Sequence, residues 1–461
     1  MPGMAQFPDL SRLTEREKDA LVLTLWAELQ AGRRQIEALT AQVAALEARL
    51  SEPPKTPRNS STPPSRGAKA NRPQGGMRRR QGRPGVARTL TAEPDRVVEA
   101  VAETCPHCAA ALRAPDQTRR AVYDRIEIPP IKPMVTRVHL FGGTCPCCGA
   151  NFTAPVPSGL EPGSPYGRSV EALAVYFRYA HALGYARLSA LLRDVFGVTV
   201  SEGALANLLA RAAGPFAAQA AAIRAHVLAQ PVIGSDETTA RVAGRTWWEW
   251  VLVGGDRAVL HVIEPSRARR VLSELLGGVR PGVWVSDLYG AQRGHGEAWQ
   301  VCLAHQLRDV QYAIDAGDAI FAPRLKRVLV RAVAIGRRRD RLRDGTLRQY
   351  AYDLDRRLDR VMARAPTNRH GQRLRRRIAR IRPHLFVFVT DRAVPSTNNA
   401  CERALRPSVI FRKVTGGFRS PWGARLCATI RSVIDTGRLN GLTPLQAIGT
   451  TLAGQPLLRP A

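Results

Sequence analysis

Three carboxylates stand out for their settings. Asp236 closes the apolar run Pro231-Val232-Ile233-Gly234-Ser235, and Asp287 closes Gly282-Val283-Trp284-Val285-Ser286, so both read as strand ends. Glu402 lies in Asn398-Asn399-Ala400-Cys401-Glu402-Arg403-Ala404-Leu405-Arg406, whose Asn start and Ala, Leu and Arg content predict the first turn of a helix. Hard divalent cations such as Mg²⁺ prefer oxygen ligands, and carboxylates from separate segments can hold them while leaving positions open for phosphate oxygens and water. Two strand-end Asp and one helical Glu therefore have the chemistry for metal-dependent phosphoryl transfer. Singly, each acid is more often a turn or cap residue; it is the joint pattern that points to catalysis. Glu237 alternates to the other side of its strand and reads as structural. Asp391, after the apolar run 385–389, is a weaker candidate for a third ligand.

Several elements must position these acids. Residues 246–253 and 258–263 alternate like neighbouring antiparallel strands joined by Gly254-Gly255-Asp256, and 267–276 has a helical apolar face at Leu272, Leu275 and Leu276. The long stretch between Asp287 and Glu402 exceeds what a compact core needs. Its part at 318–382 is rich in Arg and Leu at helical spacing, with Arg337-Arg338-Arg339 and Arg375-Arg376-Arg377, which predicts a basic helical insertion.

Charge narrows the partner. The 461 residues carry 69 Lys and Arg against 38 Asp and Glu, a formal charge of +31, beyond what solubility asks for and suited to a polyanion. There is no uncharged apolar run of about 18 residues and no signal-like start, so nucleic acid fits better than a membrane and the expected location is the cytoplasm. At the N-terminus, Val22, Leu25, Leu29, Ile36, Leu39, Val43, Leu46 and Leu50 form a heptad seam interrupted at Gly32. It predicts a short coiled coil over 15–50 and self-association; packing on the protein's own body is the alternative. Residues 51–95 are Pro-, Ser-, Gly- and Arg-rich and read as a disordered basic linker.

Cys105-Pro106-His107-Cys108 and Cys145-Pro146-Cys147-Cys148-Gly149 are two Cys-x-x-Cys knuckles, a pattern that places four thiolates, Cys105, Cys108, Cys145 and Cys148, on a structural Zn²⁺. Cys147 offers a second register, and a redox pair is the rarer alternative. Alternation at 123–128 and 135–141 suits the arms of a zinc ribbon over 96–157. Within 158–228, helix 188–196, Gly197, then helix 201–209 spell a helix-turn-helix-like unit, a pattern of low specificity.

The order strand, strand, strand, helix, strand is similar to a ribonuclease-H-like fold, which places the first and fourth strands side by side. Asp236-Glu237-Thr238, Ser286-Asp287-Leu288-Tyr289, Cys302-Leu303-Ala304-His305 and the run from Asn398 through Arg406-Pro407 to Arg412-Lys413 resemble the motifs of transposases of the insertion sequence 66 family. The coiled coil, basic linker and double knuckle come in the same order, so the resemblance covers nearly the whole chain. It implies a multidomain α+β protein. A ribonuclease-H-like catalytic core at 229–317 and 383–440 would be split by the insertion 318–382 and followed by a tail at 441–461. Asp236, Asp287 and Glu402 would then bind two Mg²⁺ or Mn²⁺ ions, cleave DNA at the element's ends and transfer the 3′-hydroxyl to target DNA. Asn399, Arg403, Arg406, Arg412 and Lys413, with Asn398, offer donors to DNA phosphates. His305 either packs on its helix or helps position the scissile phosphate. Expected partners are transposon-end and target DNA, further copies of the chain, and small accessory proteins of the same element, with the protein associated with a bacterial nucleoid. The competing expectation is a catalytically silent, zinc-containing DNA-binding regulator; a nuclease without strand transfer is a third.

Overall fold

The computed structural model describes residues 10–50, 52–60, 88–255 and 257–458, with the backbone alone at 44–50. Most of the expected linker, at 61–87, lies outside them. The described residues fall into two compact units, one within 10–60, 218–442 and 457–458, the other within 88–217 and 443–456.

The first unit is built on a five-stranded mixed sheet. Its strands are β3 (Val232–Val242), β4 (Arg245–Gly254), β5 (Ala258–Glu264), β6 (Val283–Ser286) and β7 (Ala298–Val301), in the order β5-β4-β3-β6-β7. The numbering leaves β1 and β2 for the short hairpin of the second unit, Gly142–Thr144 and Asn151–Thr153. β3 runs antiparallel to β4 and parallel to β6. The β3–β4 turn is Ala243-Gly244, both with positive φ (46° and 74°), the backbone that lets a two-residue hairpin follow the strand twist. β6, Val-Trp-Val-Ser, is buried along its whole length, as a parallel strand covered on both faces requires. α5 (Arg269–Leu276) makes the crossover between β5 and β6, burying Val271, Leu272 and Leu276.

Helices follow. α6 (Leu303–Asp315), α7 (Phe321–Gly336), α8 (Asp344–Met362), α9 (Arg369–Ile381) and the short α10 (Val387–Thr390) pack together. Apolar stripes such as Phe321, Leu325, Val328, Leu329, Ala332 and Ile335 on α7 and Leu374, Ile378 and Ile381 on α9 join Val285 and Val301 in one core. Arg369, Arg373, Arg375, Arg376, Arg377 and Arg380 lie at other positions of α9. These helices form a layer built on the parallel edge of the sheet. α11 (Asn399–Thr415) buries Cys401, Ala404 and Leu405 against Val251, Val253 and Val259, and α12 (Pro421–Leu439) packs on β5.

α1 (Glu15–Leu50) is a single helix whose Val22, Leu25, Leu29, Ile36, Leu39 and Val43 are all exposed. The side chains of Leu46 and Leu50 lie outside the described residues.

In the second unit, α2 (Arg168–Val175), α3 (Tyr185–Phe196) and the start of α4 (Glu202–Leu228) enclose Ala174, Leu188, Leu192, Val200, Leu205 and Leu208. Gly197 ends α3 at φ 66°, the left-handed conformation glycine adopts without strain. α4 runs far beyond the expected stop at Leu209, through Pro215. The segment 441–461 is more than a tail: α13 (Pro444–Leu452), opened by a Thr443/Gln446 capping box, packs on α2. Among the described residues no helix is long and apolar enough to cross a membrane.

The ribbon arms differ from expectation. Residues 123–128 and 135–141 form no strand, and Tyr123, Ile128, Met134, Val135 and Phe141 are exposed.

Candidate active site

Asp236 is not at a strand end. β3 continues to Val242, paired with β4 throughout, but its parallel pairing with β6 stops at Gly234–Val285. Asp236 thus sits where one neighbour has ended. The register Val232–Val283, Ile233–Trp284, Gly234–Val285, carried two residues on, sets Asp236 beside Asp287, which directly follows β6. Asp236 Oδ1 accepts the Glu237 amide at 2.9 Å, and Asp287 Oδ1 accepts the Tyr289 amide at 2.9 Å, turning the chain out of the sheet.

α11 brings Glu402 in its first turn, where the helix dipole favours an acid. Its start is fixed by Asn398, which does not cap the helix as its position suggests. Asn398 is buried, donates its side-chain amide to the Ser235 carbonyl at 2.7 Å and its backbone N–H to Cys302 Sγ at 3.2 Å. The expectation that Asn398 offers a donor to phosphate is corrected: its amide ties α11 to the residue before Asp236. Gly234 permits the approach, since a Cβ there would stand 3.1 Å from Cys401 Sγ and 3.2 Å from Asn398 Oδ1.

The three acids share one neighbourhood without forming a closed cluster. Burial pushes the Asp236 carboxyl up to about 8, with the charges of Glu237, Asp287 and Glu402 adding to it. Glu402 lies 3.7 Å from Arg308 and 3.9 Å from His305 Nδ1, both on α6. That His305 nitrogen is buried and has no hydrogen-bond partner among the described residues. No three His, Cys, Asp or Glu among the described residues are gathered as one metal-holding set.

Glu237 has its own circle. Its carboxylate accepts Arg267 at 2.7 Å and Gln292 at 2.6 Å, and the Arg267 guanidinium lies over the rings of Tyr289 (3.7 Å) and Trp248 (4.4 Å). Arg267, Gln292 and Arg308 carry no local motif and became visible only through these contacts. Asp391 accepts the Ala393 amide at 2.9 Å in the turn after α10.

On α11, Asn399, Arg403, Arg406 and Lys413 fall on the exposed face opposite the buried Cys401, Ala404, Leu405, Ser408 and Phe411. Arg412 is partly buried and donates to Thr239 Oγ1 at 2.6 Å. In the second unit each knuckle is a tight turn: the Cys105 N–H donates to the Ala110 carbonyl at 2.9 Å, and the Cys145 N–H to the Ala150 carbonyl at 2.8 Å. Backbone amides of His107 and Cys108 hold the Cys105 thiol below its usual range, and those of Cys148 and Cys147 do the same for Cys145. The four expected zinc ligands, Cys105, Cys108, Cys145 and Cys148, remain two separate pairs.

The profile of the IS66 family of transposases matches residues 163–426, more than half of the chain, and the chain belongs to that family. It is also 28% identical over 335 residues to the uncharacterized protein y4qI of Sinorhizobium fredii (strain NBRC 101917 / NGR234). That alignment covers 64% of this chain and 60% of the relative.

Proposed function

We propose that the first unit is a ribonuclease-H-like DNA transposase core in which Asp236, Asp287 and Glu402 hold two divalent cations, Mg²⁺ or Mn²⁺. The observation that carries this reading is the parallel register that sets Asp236 beside Asp287, with the buried Asn398 tying the Glu402 helix to the same strand. The donor set fits: it is all carboxylate oxygen, and its mutual repulsion is what a divalent cation relieves. When bound, such cations lower the pKa of an attacking water and stabilise the leaving oxygen of an in-line displacement.

The chain's residues supply the rest. Arg308 and His305 face Glu402 from α6, and so would offer a guanidinium and an imidazole to a scissile phosphate lying beside the carboxylates. The exposed Asn399, Arg403, Arg406 and Lys413, with Arg412, line the flank where a DNA backbone would run. Gln292 and Arg267 engage the Glu237 carboxylate with hydrogen bonds of their own. Strand cleavage followed by attack of the freed 3′-hydroxyl needs no covalent protein intermediate. The Cys pairs, with amides aimed at their sulfurs, fit a structural Zn²⁺, which would draw the two knuckles together. Through its exposed heptad seam α1 would pair with further copies of the chain.

Purified protein with a labelled element end and Mg²⁺ tests the reading. The parent should nick and join the end, and Asp287→Asn should bind it while cleaving at least about 10³-fold more slowly. Binding without metal-dependent cleavage by the parent would instead fit a silent regulator.

A further inference from the structure

A cavity of about 400 Å³ lined by Arg280, Arg293, Trp299, Arg377, Arg380 and His384 reaches Leu288, the residue after Asp287. Its size falls in the range of roughly 300–1,000 Å³ typical of ligand sites. Its walls are the edge strand β7, the loop before it and helix α9.

The charge on this wall is largely unanswered. Arg377 pairs with Asp309, but Arg280 and Arg380 have no ion pair or hydrogen bond among the described residues. Arg293 reaches only the Leu288 carbonyl at 3.5 Å and lies 5.9 Å from the Trp299 ring. Among the lining residues Glu297 alone is acidic. Guanidiniums gathered in this way repel one another until an anion lies between them.

The same cavity holds an aromatic pair. The Trp299 and His384 rings stand 5.1 Å apart at 46°, and burial pushes the His384 imidazole below its usual range, toward the neutral ring. Trp299 is oriented by its indole N–H, which donates to Ser286 Oγ at 3.0 Å; Ser286 Oγ in turn donates to the Asp287 carbonyl at 3.0 Å. Guanidiniums for phosphate beside a fixed aromatic face are the two halves of single-strand recognition, whereas a duplex hides its base faces.

We infer that this cavity receives one unpaired nucleotide of a DNA strand engaged at the carboxylates, its phosphate on Arg280, Arg293 and Arg380 and its base against Trp299 and His384. This rests on the DNA reading above, but the contact needs no cleavage and no metal. Its test is therefore run in EDTA with the full chain.

A single-stranded oligonucleotide carrying a photoreactive pyrimidine is cross-linked by ultraviolet light and the adduct mapped by mass spectrometry. An adduct at Trp299 or His384 is expected, at least about 5-fold weaker in Arg293→Ala/Arg380→Ala, together with a salt slope smaller by about 1.4 for the two lost phosphate contacts. Trp299→Leu should weaken single-strand binding by about 5-fold or more, with Trp299→Phe retaining most of it. Absence of an adduct on this wall, or equal adducts and equal losses with a blunt duplex, would overturn the inference. Failure here leaves Mg²⁺-dependent cleavage by the parent untouched, and failure of the carboxylate reading leaves the EDTA cross-link untouched.

Discussion

At the scale of the residue, Asp236 carries a conflict that function explains. A carboxyl pushed up by burial and by three neighbouring acids destabilises the fold in the absence of a cation. Asp236→Asn removes that repulsion while keeping the shape, so in EDTA it should raise Tm by roughly 2–4 °C, about 1 kcal/mol, while abolishing cleavage. A lower Tm in thermal melts would show that the acid is not strained. Asp287, which follows a strand, and Glu402, in the first turn of a helix, stand in the elements that the sequence predicts and were legible there, whereas Asp236 lies inside β3, which pairing with β4 carries on to Val242. Arg308, Arg267 and Asn398 were not legible: the first two act through contacts across the fold, and Asn398 looked like a cap because nothing local shows that its amide reaches Ser235.

At the scale of the element, the placement of α11 decides where Glu402 sits. Gly234→Ala puts a methyl against Cys401 and Asn398, an overpacking that costs about 1–3 kcal/mol and should cut cleavage more than DNA binding. A loss of binding equal to the loss of cleavage would place the effect elsewhere. Farther along the helix, Ser408 Oγ donates to Glu249 at 2.6 Å, and Glu249 faces His261 Nδ1 at 2.9 Å while His261 Nε2 faces Asp435 at 3.1 Å. Both ring nitrogens meet carboxylates, so both donate and the ring is charged. Burial opposes that charge, but Asp435 and Glu249 outweigh it and raise the His261 pKa above 6.5; burial also opposes charge on Asp435, where Arg431 and His261 outweigh it and lower its pKa below 3.8. The His261 contribution is full below about pH 6.5 and lost as pH rises through its raised value; that of Asp435 is lost as pH falls through its lowered one. His261→Gln should therefore remove stability at pH 6 and flatten the alkaline fall in urea-melt stability. An unchanged alkaline limb would contradict the network's charge. The sheet and its helices were readable from alternation and helical spacing. β7 was not, because four residues give too little period.

At the scale of the whole molecule, the +31 charge and the exposed seam of α1 are the features on which the proposed associations with DNA and with further copies of the chain rest. DNA affinity should fall steeply between about 50 and 200 mM salt, in proportion to the phosphates neutralised. Leu25→Asp/Leu29→Asp should reduce the mass measured by light scattering to that of one chain, whereas a parent already monomeric would leave the seam without a partner. Charge and heptads are legible without a structure because they are sums and periods along the chain. The gathering of three distant acids is neither, and it bears the whole account. Replacing Mg²⁺ with Fe²⁺ and peroxide, in the presence of DNA, cuts a polypeptide backbone beside the bound ion and so reads that gathering directly. Cuts near 236, 287 and 402, lost together in Asp287→Asn, are the predicted result; cuts near 236 and 287 with none near 402 would contradict it.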